Sequence, residues 1–164
     1  MKKQPLLKEI VYIVGIVICL NKRQEFLLVK RSKTDTIKPG FWEFPGGHID
    51  PEDDSIASGA IRELLEEANL LCAPENVKLI GQQTIVRPTV EDPLVQAVIK
   101  RHYFLATEWK NEAKIIPNPI TGVLEHDDLM WSTREEIKTI VNTTIPDYLL
   151  VKSLELTGYN TKND

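Results

Sequence analysis

Within "IRELLEEANL", residues 61–70, three carboxylates stand three and four positions apart: Glu63, Glu66 and Glu67, with Arg62 beside them. At 100° per residue they fall within roughly 100° of one another around a helix. Like charges at this spacing repel by roughly 0.2–0.5 kcal/mol per pair, so the cluster costs stability unless something positive offsets it. The helix alone supports two readings: a solvated acidic face, or oxygen ligands gathered for a hard divalent cation. The upstream residues favour the second. Pro45-Gly46-Gly47 is a turn that can bring backbone groups near a ligand, and "HIDPEDD" (48–54) is an acidic loop leading into the helix. A bound cation would lessen the repulsion among the carboxylates.

The opposite stripe of the helix must hold it in place. Ala60, Ile61, Leu64, Leu65 and Ala68 form an apolar face, which is expected to dock on a sheet and leave the carboxylates on the side away from it. Ser55 or Asp54 can cap the first turn, and Asn69 suits a left-handed C-cap. Gly59 inside the helix costs about 1 kcal/mol relative to alanine, a cost that close packing would explain.

Residues 10–20 read as a buried strand, "NKRQ" as a turn and residues 25–31 as the antiparallel partner. Residues 41–44, "FWEF", are a short aromatic strand that Pro45-Gly46-Gly47 should end. Two long strands follow over 77–90 and 93–109, then a loop with two prolines over 110–122. Thr133 opens a helix over 132–141, with Glu136 at the capping-box spacing. A short helix at about 146–156 leads into a polar tail over 157–164 that is expected to fray. With no internal repeat or linker, the pattern predicts one mixed α/β domain over residues 1–164.

The bulk properties narrow the partners. A chain of 164 residues with 42% hydrophobic and 27% charged residues is an ordinary globular composition. A net charge of −4 gives no reason to expect a nucleic-acid polymer or an anionic membrane as partner. A phosphate-bearing ligand would need local positive charge or metal ions. Cys19 and Cys72 have neither metal-ligand spacing nor a disulfide framework, so they read as small buried hydrophobes in a reducing compartment. The eleven-residue run over 10–20 is too short to span a bilayer, and Lys8 and Glu9 interrupt its lead-in. A cytoplasmic location is the expectation.

Residues 46–70, "GGHIDPEDDSIASGAIRELLEEANL", resemble the Nudix box of hydrolases that act on a nucleoside diphosphate linked to a further group, X. That pattern runs Gly, five residues, Glu, seven residues, then Arg-Glu-apolar-any-Glu-Glu-any-Gly-apolar. Arg62, Glu63, Leu64, Glu66, Glu67 and Leu70 match its second half. "GFWEFPGG" (40–47) resembles the lead-in of the family's nucleotide-pool-cleansing branch. The directly matching residues cover about a fifth of the chain, and the order of strands and helices fits most of the rest. Two places depart from the pattern. Counting from Gly47, the loop carries one extra residue, so Asp53 or Asp54 stands where the family has its first glutamate. Asn69 replaces the glycine near the helix end.

The resemblance implies a Nudix-type α/β/α sandwich with a mixed β-sheet, its box at about 47–70. It also implies water attack on a diphosphate linkage with Mg²⁺ or Mn²⁺ as cofactor. Glu66 and Glu67 would be the main metal ligands, and Glu63 a further ligand or the general base. Arg62 would orient the glutamates, and the Gly46 backbone carbonyl would complete the metal shell. Arg31 and Lys30 are candidates for phosphate contact, each set against ordinary surface charge. Trp42, with Phe41 and Phe44, is a candidate to stack on a base, set against a place in the core. "LEHDDLMW" (124–131) resembles a late segment in which an acidic loop precedes a tryptophan and a helix. Glu125 there is a candidate extra ligand or base, and Trp131 a core anchor. His48, His102 and His126 lack partner spacing and are given no catalytic role. Arg87 and Pro88 lie near where some subfamilies place substrate-selecting residues. The leading substrate is a nucleoside triphosphate, an oxidised one included, cleaved to monophosphate and pyrophosphate. ADP-ribose, a nucleotide sugar or a dinucleoside polyphosphate are the alternatives, and a homodimer is left open. A non-catalytic nucleotide sensor of the same fold would be expected to lose the helix glutamates, which are all present. A fold-related isomerase would want an active-site cysteine, and neither Cys19 nor Cys72 stands at a matching place.

Overall fold

A computed structural model of the chain describes residues 8–159. The polar tail expected over 157–164 therefore lies outside the described residues from position 160. The strands are β1 (Lys8–Cys19), β2 (Glu25–Arg31), β3 (Trp42–Glu43), β4 (Gly46–His48), β5 (Val77–Pro88), β6 (Val95–Ala106) and β7 (His126–Thr133). The helices are α1 (Ile56–Ala68), α2 (Arg134–Thr139) and α3 (Asp147–Leu156), with a single 3-10 turn at Pro74–Asn76.

The buried strand expected over 10–20 holds only in part: β1 is buried from Val17 to Cys19, where both faces are covered, whereas Ile10, Val11 and Ile13 are exposed. β1 lies inside a mixed sheet of order β4-β1-β6-β5. It runs parallel to β6, from Lys8 opposite Val95 to Cys19 opposite Ala106, and antiparallel to β4. A second, antiparallel sheet has the order β3-β2-β7. Side chains alternate along each strand, which separates two cores. Val17, Cys19, Leu27 and Val29 pack with Ala60, Leu64 and Ala68 of α1. Ile18, Leu20, Phe26 and Leu28 pack with Leu149, Leu150 and Leu154 of α3 and Ile137 of α2. Helix, sheets, helices: the mixed α/β sandwich is present.

Three local expectations are corrected. β1 and β2 do not form a hairpin ladder. One bridge, Leu20 opposite Phe26, joins them before they enter different sheets, because β4 and β6 already occupy both edges of β1. Pro45-Gly46-Gly47 does not end regular structure, since Gly46–His48 is the edge strand β4. The segment expected as an acidic loop at 124–131 is mostly strand β7, paired with β2.

Other expectations hold. Thr133 and Glu136 form the reciprocal capping box of α2. Trp131 stacks on Trp109 with ring centroids 5.5 Å apart, at the edge of the α1-side core. Cys19 and Cys72 are buried and unbridged in that same core, where burial raises both thiols above their ordinary range. Among the described residues, no helix is long and apolar enough to cross a membrane.

Candidate active site

Helix α1 starts where Ser55 caps it, its side chain accepting from the Ser58 N–H. It stops at Asn69, whose φ of 61° is the left-handed C-cap the sequence offered, with its N–H donating to Leu65 O. Gly59 is explained by the loop folded onto it. A Cβ there would stand 2.6 Å from Ile49 Cδ1 and 2.5 Å from Asp53 Oδ2.

The carboxylates do not lie on a face turned away from the sheet. α1 crosses beside β4, an edge strand with an unpaired outer row of backbone groups. Val17 N–H donates to Pro45 O and Ile49 N–H to Ile13 O. That phase pairs Gly15 with Gly47 and turns the N–H and C=O of Gly46 away from β1. Glu67 Oε2 accepts from the Gly46 N–H at 2.9 Å, and Glu67 is only 8% exposed. Glu63 lies against the neighbouring residue. A Cβ on Gly47 would meet the Glu63 carboxyl carbon at 2.6 Å, so glycine at 47 is what lets that carboxylate reach the backbone.

Arg62 ties the loop to this cluster. Its Nε and Nη2 donate to the two oxygens of Asp53, each at 3.0 Å, and Nη2 also reaches His48 O at 3.1 Å. Its Nη1 donates to Glu63 Oε1 at 2.9 Å and to Glu66 Oε2 at 3.3 Å. Asp53, one of the two candidates for the family's first glutamate, thus braces Arg62. Hydrogen bonds from Arg62 hold the Asp53 carboxyl below its usual range, and the same partners raise Arg62 itself. Burial pushes Glu63 up to about 7 against the opposing pull of Arg62. Burial likewise raises Glu67 well above the carboxylate range; the Gly46 N–H opposes this, and the charges of Glu63, Glu43 and Glu125 reinforce it.

A second wall comes from β3 and β7. His126 is 4% exposed, with Nε2 at 3.1 Å from Glu43 Oε1 and Nδ1 at 3.9 Å from Glu67 Oε1. Glu125 accepts from Asn118 Nδ2 at 3.0 Å and lines a small recess with Glu66, Glu67 and His126. Arg31 lines the cleft. Its guanidinium is held by Glu43 at 3.0 Å, Asp35 at 2.6 Å and Ile37 O at 2.7 Å. The Lys30 ammonium lies 5.6 Å from the centre of the Trp42 ring, and Lys30 is outside the lining of the cleft. Glu43 and His126 were missed in the sequence. Their only signal was an acid within an aromatic strand and a histidine within an acidic run, and neither shows that the two meet.

The two walls open into a cleft of about 730 Å³ lined by Trp42, Phe41, Ile85, Arg87, Ile99 and Arg101 besides the carboxylates, a size suited to a small-molecule ligand. Among the described residues, no group of three or more His, Cys, Asp or Glu side chains is arranged to hold a metal ion as it stands. Arg62 lies between Glu63 and Glu66.

An α/β/α sandwich with a glutamate-bearing helix set against a glycine edge strand defines a class. The model described as the NUDIX domain matches residues 11–149, and the chain belongs to the Nudix family of hydrolases. Over 140 residues it is 27% identical to the m7GpppN-mRNA hydrolase NUDT17 of Danio rerio, covering 79% of this chain and 44% of that protein. Over 105 residues it is 30% identical to the 8-oxo-dGTP diphosphatase of Proteus vulgaris, covering 64% of this chain and 83% of that one. The chain spans less than half the length of the first vertebrate relatives it matches. The fold is shared with the MutT protein from Methanosarcina mazei Go1, with a TM-score of 0.65, 21% identity, and 96% of this chain and 100% of that one covered.

Proposed function

We propose that the chain hydrolyses the diphosphate linkage of a nucleoside diphosphate derivative, most directly a nucleoside triphosphate to monophosphate and pyrophosphate. Family membership and relatives named as diphosphatases support a pyrophosphohydrolase, and the substrate and the role of each residue belong to the same proposal. One observation carries the reading: Glu63, Glu66, Glu67 and Gly46 all line one cleft of about 730 Å³, with the Gly46 N–H donating to Glu67.

The donor set suits a divalent cation, Mg²⁺ or Mn²⁺. It consists of carboxylate oxygens and a backbone carbonyl, the ligands hard cations take. Two of the acids are held above their ordinary range by burial, a tension that a cation would relieve. Glu66 and Glu67 would hold the ion, with the Gly46 carbonyl and Glu125 as further ligands. When bound, the cation offsets phosphate charge and lowers the pKa of the attacking water. Glu63, near neutrality, is suited to take the proton of that water. Arg62 keeps Glu63 and Glu66 in place and is itself held by Asp53. Trp42 stands in the cleft wall where a base can stack. The two buried free thiols support a reducing, cytoplasmic setting.

The test is a panel of nucleoside triphosphates, oxidised triphosphates, ADP-ribose, a nucleotide sugar and a dinucleoside polyphosphate, each with Mg²⁺ or Mn²⁺ and product analysis. Release of pyrophosphate from a triphosphate is the expected outcome. Tight nucleotide binding without turnover of any member would overturn the hydrolytic reading in favour of a sensor.

A further inference from the structure

The imidazole of His126 has one nitrogen explained and one unexplained. Nε2 stands 3.1 Å from Glu43 Oε1. That oxygen also accepts from Arg31 Nη1 at 3.0 Å, so Glu43 acts as an acceptor and the ring proton between the two residues sits on Nε2. On the neutral ring, that leaves Nδ1 as the lone-pair nitrogen. It is buried and, among the described residues, has no hydrogen-bond partner; the nearest acid oxygen among them, Glu67 Oε1, is 3.9 Å away, beyond hydrogen-bond reach. Nδ1 and Glu67 Oε1 thus face each other, unbonded, across a recess shared with Glu66 and Glu125. Buried polar atoms almost always have a partner, and one that does not calls for an explanation. His102 Nδ1 is also buried and unpartnered, but no carboxylate among the described residues lies within ion-pair distance of it.

We propose that His126 Nδ1 is a nitrogen ligand of the divalent-cation site, opposite Glu67, with Glu43 and Arg31 fixing the ring from behind. The proposal rests on the reading above that the carboxylates hold such a cation. Its support is the arrangement found around metal-binding histidines in general: the ring nitrogen away from the ion donates to a carboxylate, which sets the tautomer and the ring plane. Here that carboxylate is itself anchored by a guanidinium, which is in turn held by Asp35. An imidazole among oxygen donors also moves the site's preference from Mg²⁺ towards Mn²⁺ and its first-row neighbours.

The test is pulsed electron paramagnetic resonance on the full chain loaded with Mn²⁺ alone, read for modulation of the electron spin echo by ¹⁴N. Modulation is expected in the unaltered protein, replaced by a ¹⁵N pattern when histidine alone is ¹⁵N-labelled. It should vanish in His126→Gln and persist in His48→Gln, the control for another histidine in the cleft. Glu43→Ala should weaken Mn²⁺ binding roughly tenfold or more. Mn²⁺ bound without nitrogen modulation, or modulation that survives in folded His126→Gln, overturns the proposal and leaves the carboxylate site standing. Absence of Mn²⁺ binding overturns both. If His126→Gln does not fold, His48→Gln and His102→Gln decide the matter: modulation that survives in both assigns the nitrogen to His126, and its loss in either overturns the proposal.

Discussion

The two walls of the acidic site are built in opposite ways. One wall, α1 with β4, comes from a single stretch of chain between Gly46 and Glu67, and its polar groups satisfy one another: Gly46 with Glu67, Arg62 with Asp53, Glu63 and Glu66. The other is assembled from β2, β3 and β7, where Arg31, Glu43 and His126 meet through strand pairing across nearly a hundred residues. The first wall is dense in charge and self-sufficient. The second ends on a nitrogen that nothing among the described residues satisfies. A local motif can supply a site's charge, whereas the partners that orient it come from wherever the sheet brings them.

Substitution can separate the walls. The largest effect is expected from Glu67→Gln, which should lower kcat/KM by about 10²–10⁴-fold while the circular dichroism spectrum stays unchanged. Full activity would remove Glu67 from the mechanism. Arg62→Ala should cost about 2–4 kcal/mol in denaturant unfolding, because it strands acids that are partly buried. Arg62→Lys should recover only part of this, since an ammonium cannot bind Asp53 through two parallel bonds. On the second wall, Arg31→Met should lower turnover only about tenfold, as expected for a group that orients another. A loss as large as that of Glu67→Gln would make the walls equal.

Acid titration sharpens the same contrast. Burial favours the protonated forms of Glu63 and Glu67, so folding takes up protons above the ordinary carboxylate value of 4.5. The metal-free protein should therefore lose stability as pH rises from 4.5 towards about 7 through Glu63. Glu67→Gln should flatten part of that loss in thermal melts at fixed pH. Asp53 and Asp147, both held low by arginines, act in the opposite sense and at lower pH. Their contribution is present above 3.8 and is lost as pH falls through their folded values. The smallest effect is the control: Thr133→Ala, which breaks the cap of α2, should cost about 1 kcal/mol without changing turnover.

The helix was legible in the sequence because its information is local. Ser55, Asn69 and the apolar stripe specify where it starts, where it stops and which side it buries. The strands of the mixed sheet were legible as strands, but their partners were not. The Leu20–Phe26 turn looks like a hairpin at short range, and only the competition for the edges of β1 excludes one. The burial of Glu67 was hidden for the same reason: helical periodicity gives directions around an axis, not the edge strand that happens to lie alongside. Asp53 was visible as a departure in spacing, but its partner Arg62 emerged only once the loop had been folded.

The parallel pairing of β1 with β6 also bears on how the molecule is made. β1 leaves the ribosome before β6, the neighbour that completes its ladder and ends at Ala106. Until that length has emerged, the strand on which β4 and the glycine edge hang has no permanent place. Such long-range pairing must meet its loop-closure cost before any contact repays it. The acidic helix can therefore be wound first, while the surface that gives its carboxylates a purpose waits for β6, whose last residue follows α1 by dozens of positions.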